Sequence, residues 1–242
     1  MGRVLAVTSG KGGAGKSSIS VHLATALAKL HNKVLIVDLD AGMRCLDIML
    51  GVTDRLLFDL NDVLEKNKTV AETVINLGNL DFIAAPLKSK ISPAALSEFV
   101  SEVATKYDFV ILDFPAGTVD ELYMALPRYC EALVVCNADA VSLRDANIMG
   151  ADLAELNFMS VRLVLNRVSF KTMRMGITAN IDEVIDTSGI RLIGVVPQSM
   201  DIYMSCCSGE MLGTKTRAAK AFERIAKRIM GYDIPLIKYK KI

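Results

Sequence analysis

No stretch of this 242-residue chain reaches the roughly 18 uncharged apolar residues that crossing a bilayer requires, so a bundle of membrane helices is excluded. The opening MGRVLAVTSG holds a short apolar run but no A-x-A-like cleavage site, and glycines follow at once. It reads as a first strand, not a signal peptide, and a cytoplasmic protein is expected. There is no excess of charge either: the net +1 argues against a strongly nucleic-acid-binding surface but leaves room for a local patch. C-x-x-C pairs are missing. The five cysteines, at 45, 130, 136, 206 and 207, are expected to be reduced, small buried or loop residues, and the adjacent Cys206 and Cys207 make a poor pair of ligands for one metal. Linkers, low-complexity segments and internal repeats are absent too, which leaves one folded domain over residues 1–231 and a short tail at 232–242.

What is present suits a packed core: 52% of residues are hydrophobic and 23% charged. Short β-branched runs recur as VLAV (4–7), KVLIVD (33–38), LDFIA (80–84), FVILD (109–113), ALVVC (132–136), RLVLN (162–166) and LIGVV (192–196). Most are continuously apolar, as strands buried on both faces should be. Helical spacing lies between them. Residues 17–30 are rich in Ala and Leu; Ser92 and Pro93 cap and open a helix over 93–106; and 216–230 set Ala218, Phe222, Ile225 and Ile229 on one stripe. The alternation predicts an α/β fold, a mostly parallel doubly wound sheet of about seven or eight strands with helices on both faces.

One loop carries chemistry. In SGKGGAGKSS, residues 9–18, Gly10, Gly15, Lys16 and Ser17 match G-x-x-x-x-G-K-[ST] between an apolar strand and an Ala-rich helix, the context this phosphate-binding pattern needs. Glycines let several backbone N–H groups face one anion, and the helix start adds partial positive charge. Lys16 is then expected on the β- and γ-phosphates and Ser17 on Mg²⁺, with backbone contacts from Gly12, Gly13, Ala14 and Gly15 and one from Ser18 to the α-phosphate. Asp38, Asp40 and Asp113 follow strand runs, at the edge where such sheets bind ligands, and are candidates to hold the metal or its water.

Lys11 has no place in the general pattern. KGGAGKSS resembles the deviant Walker A loop of the MinD/ParA family of ATPases, where this first lysine is a signature. VLIVDLDAGMRCLDIMLGV (34–52) resembles the family's switch I, FVILDFPAGTVDE (109–121) its switch II, and LVLNRV (163–168) with VVPQS (195–199) the segments that frame adenine. The likeness spans about residues 1–230 in the family's order, and is nearest to its septum-placing branch. It implies a P-loop NTPase fold and an ATP- and Mg²⁺-dependent hydrolase, slow without a stimulating protein. Such a switch forms a homodimer with ATP and places the cell-division site or organises the cell in a related way. It further implies that Lys11 acts in trans across the dimer, that Asp40 orients water, that Asp38 sits in the metal's outer shell, and that Asp113 holds a metal-bound water. Asn166, Arg167 and Pro197 would contact adenine.

The sequence departs from the family at its end. Members that dock on membrane close with an amphipathic helix, whereas GYDIPLIKYKKI is interrupted by Pro235; Leu236, Ile237, Tyr239 and Ile242 with Lys238, Lys240 and Lys241 offer a weak peripheral contact with the inner face of the cell membrane. Cys45, where asparagine is common, and Gln198, where an acid is frequent, are expected to lie clear of the phosphate chemistry. Alternatives are a ParA-type DNA-partitioning ATPase, using Arg217, Lys220, Arg224, Lys227 and Arg228 on the last helix and Lys171 and Arg174 in a loop, an iron–sulfur carrier, and a binding module that scarcely hydrolyses ATP. The basic helix face reads as ordinary solvated surface.

Overall fold

Strands that are apolar at every position need cover on both faces, and the computed structural model, which describes residues 1–236, supplies it. In chain order the elements are β1 (Arg3–Thr8), α1 (Lys16–Lys29), β2 (Val34–Asp38), α2 (Leu46–Met49), α3 (Leu60–Leu64), α4 (Val70–Thr73), β3 (Ile75–Asn76), β4 (Leu80–Ile83), α5 (Pro93–Val103) and β5 (Phe109–Asp113). There follow α6 (Glu121–Met124), β6 (Glu131–Cys136), α7 (Ala140–Glu155), β7 (Ser160–Val168), α8 (Phe170–Arg174), α9 (Ile181–Ser188), β8 (Leu192–Pro197), α10 (Met200–Ser208) and α11 (Arg217–Ile229). The sheet order is β3-β4-β2-β5-β1-β6-β7-β8, parallel throughout except for β3 against β4.

Strand alternation divides the interior in two. Val4 and Ala6 of β1, with Val110 and Leu112 of β5, face a core closed by Leu96, Phe99 and Val100 of α5 and by Leu143, Ala146 and Met149 of α7. Leu5, Val7, Phe109 and Ile111 point the other way, against Ile19, Leu23 and Leu27 of α1 and Ala218, Phe222, Ile225 and Ile229 of α11. The expected stripe on the last helix is thus the face that α11 buries. On its other face Lys227 pairs with Glu223 at 2.6 Å.

Two details differ from the sequence reading. Lys171 and Arg174 lie on α8, a short helix capped by Ser169, rather than in a loop. Arg228 is not a solvated charge: its Nε donates to Ile234 O and its Nη1 to Ile193 O, both at 2.7 Å, so it ties the start of the tail to β8, the edge strand. Of the tail residues singled out, Pro235 and Leu236 are among those described; Ile237, Lys238, Tyr239, Lys240, Lys241 and Ile242 lie outside them.

Candidate functional site

The functional end of the sheet is set by register. Val7 of β1 and Asp38 of β2 both pair with Asp113 of β5, so two acids finish beside the point where β1 opens into the glycine loop. That loop ends in Gly15, with φ at +92°, and α1 begins at Lys16. A cavity of about 840 Å³ lies over it, lined by Gly12–Ser18, Asp40, Asn166, Arg167 and Pro197 and closed by Met43, Met49 and the first turns of α10. Its size is that of a nucleotide-scale ligand site.

Lys16 is buried, and its Nζ donates to Asp113 Oδ2 at 3.0 Å. Ser17 Oγ donates to the same oxygen at 2.7 Å, and Ser20 Oγ to Oδ1 at 2.6 Å. A charge-assisted bond and two hydroxyls therefore satisfy a carboxylate with no exposure to solvent. The Ser17 hydroxyl beside a carboxylate is an all-oxygen donor pair suited to a hard divalent cation, so these residues fit Mg²⁺. The loop above them is a fit for phosphate: added Cβ atoms at Gly12 and Gly13 would meet nothing within 4 Å.

Asp38 does something else. Its Oδ1 accepts from Asp40 N at 2.9 Å, and its Oδ2 from Cys45 N and Leu46 N, both at 3.3 Å. Both oxygens hold the 40–46 loop, and Asp38 does not line the cavity. Burial, followed by the Asp113 charge, raises its pKa to about 6 against those backbone bonds. Asp40, at the cavity wall, is also raised, chiefly by burial and against the pull of Lys16.

Asn166 works underneath the loop. Its Nδ2 donates to Ala14 O at 2.9 Å, and a Cβ on Gly15 would come within 2.3 Å of that nitrogen. Asn166 and Arg167 stand where the pairing of β7 with β8 slips between Leu165 and Val168, and Arg167 has φ +52°. The bulge turns both residues toward the cavity. Lys11 stays out of it. Its half-exposed side chain reaches Asp139 Oδ1 at 3.8 Å, next to the start of α7.

Two residues, Cys45 and Cys206, need correction. Cys45 is not clear of the phosphate chemistry, because its thiol meets the Ser17 hydroxyl and its N–H holds Asp38. Gln198 lines the cavity beside Pro197. Cys206 is neither in the core nor in a loop: α10 places it in the cavity wall, with Sγ 3.4 Å from Ser18 Oγ and 3.7 Å from His22 Nε2. These contacts join segments 184 and 188 residues apart, and no local pattern announces them.

A glycine loop fed by a central parallel strand and emptying into the first helix puts this protein among the P-loop NTPases. A model of the ParA family, described as NUBPL iron-transfer P-loop NTPase, matches residues 1–230. The septum site-determining protein MinD of Bacillus subtilis (strain 168) is 34% identical over 246 residues, covering 98% of this chain and 92% of that protein. A chain of the MinC:MinD cell division protein complex of Aquifex aeolicus superposes with a TM-score of 0.90 at 30% identity, covering 98% of this chain and 99% of that one. MinD of Pyrococcus horikoshii OT3, solved with Mg-ADP, gives a TM-score of 0.83 at 26% identity, covering 97% and 100%. The chain belongs to the ParA/MinD family.

Proposed function

We propose that this chain is a MinD-like ATPase switch in cell-division site placement, whose Mg-ATP form is a face-to-face homodimer and whose hydrolysis is slow until a protein partner stimulates it. The nucleotide enters the cavity above Gly12–Ser18. Lys16 would exchange Asp113 for the phosphates, and Ser17 and Asp113 are the residues that would hold Mg²⁺, whose chemistry is to neutralise charge on the phosphates. Asp40 orients water at the cavity wall. Asp38 serves from behind, by keeping the loop that carries Asp40 in place. Asn166, Arg167 and Pro197 border the base.

The observation that carries the dimer is the position of Lys11. It sits in the same loop as Lys16, yet its ammonium lies outside the cavity its own loop encloses, in a long, half-exposed contact with Asp139 at 3.8 Å that a facing subunit would displace. There it would stabilise charge developing on the transferred phosphoryl group. Lys11→Ala is expected to lower turnover at least about a hundredfold, the usual loss for one such donor. ATP affinity at low protein concentration should stay within about threefold, a few tenths of a kcal/mol. Turnover close to that of the unmodified protein would remove Lys11 from the chemistry.

A regulator of the kind paired with MinD in the Aquifex aeolicus complex is the partner proposed. No helix among the described residues is long and apolar enough to cross a membrane. A weak peripheral membrane contact is proposed for the tail at 232–242. The iron–sulfur alternative needs cysteines that meet across a dimer interface, and Cys130, just before β6, and Cys136, at its end, are buried and do not supply them. DNA partitioning loses two of its supporting charges, since Lys227 pairs with Glu223 and Arg228 binds backbone.

A further inference from the structure

Behind the phosphate loop, between α1 and α11, lies a second cavity of about 260 Å³. Its apolar wall includes Ala26, Leu30, Leu212, Ala219 and Phe222, and His22 closes one side. Lys29, at the same cavity, is engaged: its Nζ donates to Leu212 O at 3.0 Å. The space falls just below the roughly 300–1,000 Å³ of drug-sized ligand sites, so it suits a single ring with one substituent.

His22 gives the cavity its specificity. Its side chain is only 3% exposed, its ring packs on Phe222 at 5.2 Å between centroids, and its Nε2 meets Cys206 Sγ at 3.7 Å. Its Nδ1 has no hydrogen-bond partner among the described residues. The proton assignment follows from the network. The Cys206 thiol donates to Ser18 Oγ, so its sulfur is left to accept from His22 Nε2–H, and Nδ1 presents a bare lone pair. Burial, then the nearby Lys29 charge, lowers the His22 pKa to about 4, which keeps the ring neutral at ordinary pH. Nδ1 is not among the fully buried unpartnered atoms, so it keeps contact with solvent at the cavity that His22 lines, where a ligand's O–H or N–H takes the place of water.

We propose that this cavity binds a compact, largely apolar molecule carrying one O–H or N–H donor for His22 Nδ1, and that its occupancy is coupled to the nucleotide through His22, Cys206 and Ser18. Cys206 and Ser18 both line the nucleotide cavity, and His22 follows Ser18 by one turn on the helix that the phosphate loop opens. A ligand that fixes the His22 ring therefore fixes the thiol and the hydroxyl that face the nucleotide. The coupling rests on reading the loop as a nucleotide site; the cavity itself does not.

Phenol, which has the donor, and anisole, which lacks it, are the probes. ADP affinity is measured first without either. Phenol is expected to bind saturably, to move the Nδ1 resonance of His22 in ¹⁵N-labelled protein, and to bind about tenfold tighter than anisole. Ala219→Leu fills the cavity from α11 without touching His22, and should abolish the phenol response while ADP still binds. Phenol should change the ADP dissociation constant by about fivefold, and ADP should change that of phenol by the same factor. Equal binding of anisole overturns the donor assignment. Undiminished phenol binding in Ala219→Leu, or a silent His22 resonance, overturns the site. An ADP affinity indifferent to phenol overturns the coupling. No ADP binding at all would overturn the nucleotide reading and the coupling with it, and the phenol and anisole comparison would still decide the cavity.

Discussion

Gly15 meets two constraints at once. Its φ of +92° is one that L side chains rarely adopt, and a Cβ there would sit 2.3 Å from Asn166 Nδ2. Gly15→Ala should therefore cost about 1–3 kcal/mol and loosen nucleotide binding. Replacing Asn166 by Ala as well removes the steric part of that cost but not the backbone part. A double-mutant cycle by urea denaturation should thus give a coupling of at least about 0.5 kcal/mol, and additive losses would mean that the contact is not what excludes a side chain. His22 supplies a second test at this scale. Its folded pKa, near 4, lies below the ordinary value of 6.5, so the folded state binds fewer protons between those limits. The stability due to a neutral His22 is complete above pH 6.5 and is lost as pH falls toward 4, by an amount on the order of 3 kcal/mol. A His22→Gln variant should lack that share of the acid destabilisation; an unchanged pH profile would show that His22 is not its source. Lys16, Ser17 and Gly15 were legible because the loop's chemistry is contiguous in sequence. His22 and Cys206 were not, since nothing local distinguishes a buried helical histidine that meets a thiol 184 residues away.

Burial made the strands legible but not every helix: α7, with Leu143, Ala146, Met149 and Leu153 buried, was not read from the sequence. The continuously apolar runs became strands because a sheet covered on both sides asks for apolar residues at every position. β3 escaped notice: two residues pairing antiparallel at the edge carry no period at all. α10 escaped as well, for a different reason. Only Ser205 on it is buried, while Met200, Tyr203 and Met204 are exposed, so it shows no apolar stripe to betray a helix. Yet α10 walls the nucleotide cavity. The stripe on α11, by contrast, was plain, and its Phe222 is 1% exposed, packed on His22 of α1. Phe222→Ala should cost about 3–5 kcal/mol in thermal or urea unfolding, the range for truncating a buried aromatic. A loss below about 1 kcal/mol would mean that α11 collapses onto the space and packs less tightly than its burial implies.

For the whole molecule, the mouth of the nucleotide cavity is the notable surface. Met43, Met200 and Tyr203 line it and are 75%, 69% and 66% exposed, so a lone subunit holds large apolar side chains in water around its own ligand. Scattered exposed methionines are ordinary, but three around one charged site suit a face that is covered part of the time. Lys11 stands outside the cavity in the same loop, and a facing copy satisfies both features: it covers the apolar rim and receives the lysine. On the proposed reading the γ-phosphate is the natural trigger, because Asp40, in the loop held by Asp38, lines the cavity the phosphates would enter, and ordering that loop would change the rim. Asp40→Ala, expected to slow hydrolysis while keeping Lys16 and Ser17, should therefore sediment at twice the 26.3 kDa of one chain in Mg-ATP and as a monomer in Mg-ADP. Adding Lys11→Ala to that variant should weaken the ATP dimer, since the trans contact is lost. If Asp40→Ala stays monomeric in saturating Mg-ATP, the rim is not a dimer face, and Lys11 must find its partner on another protein.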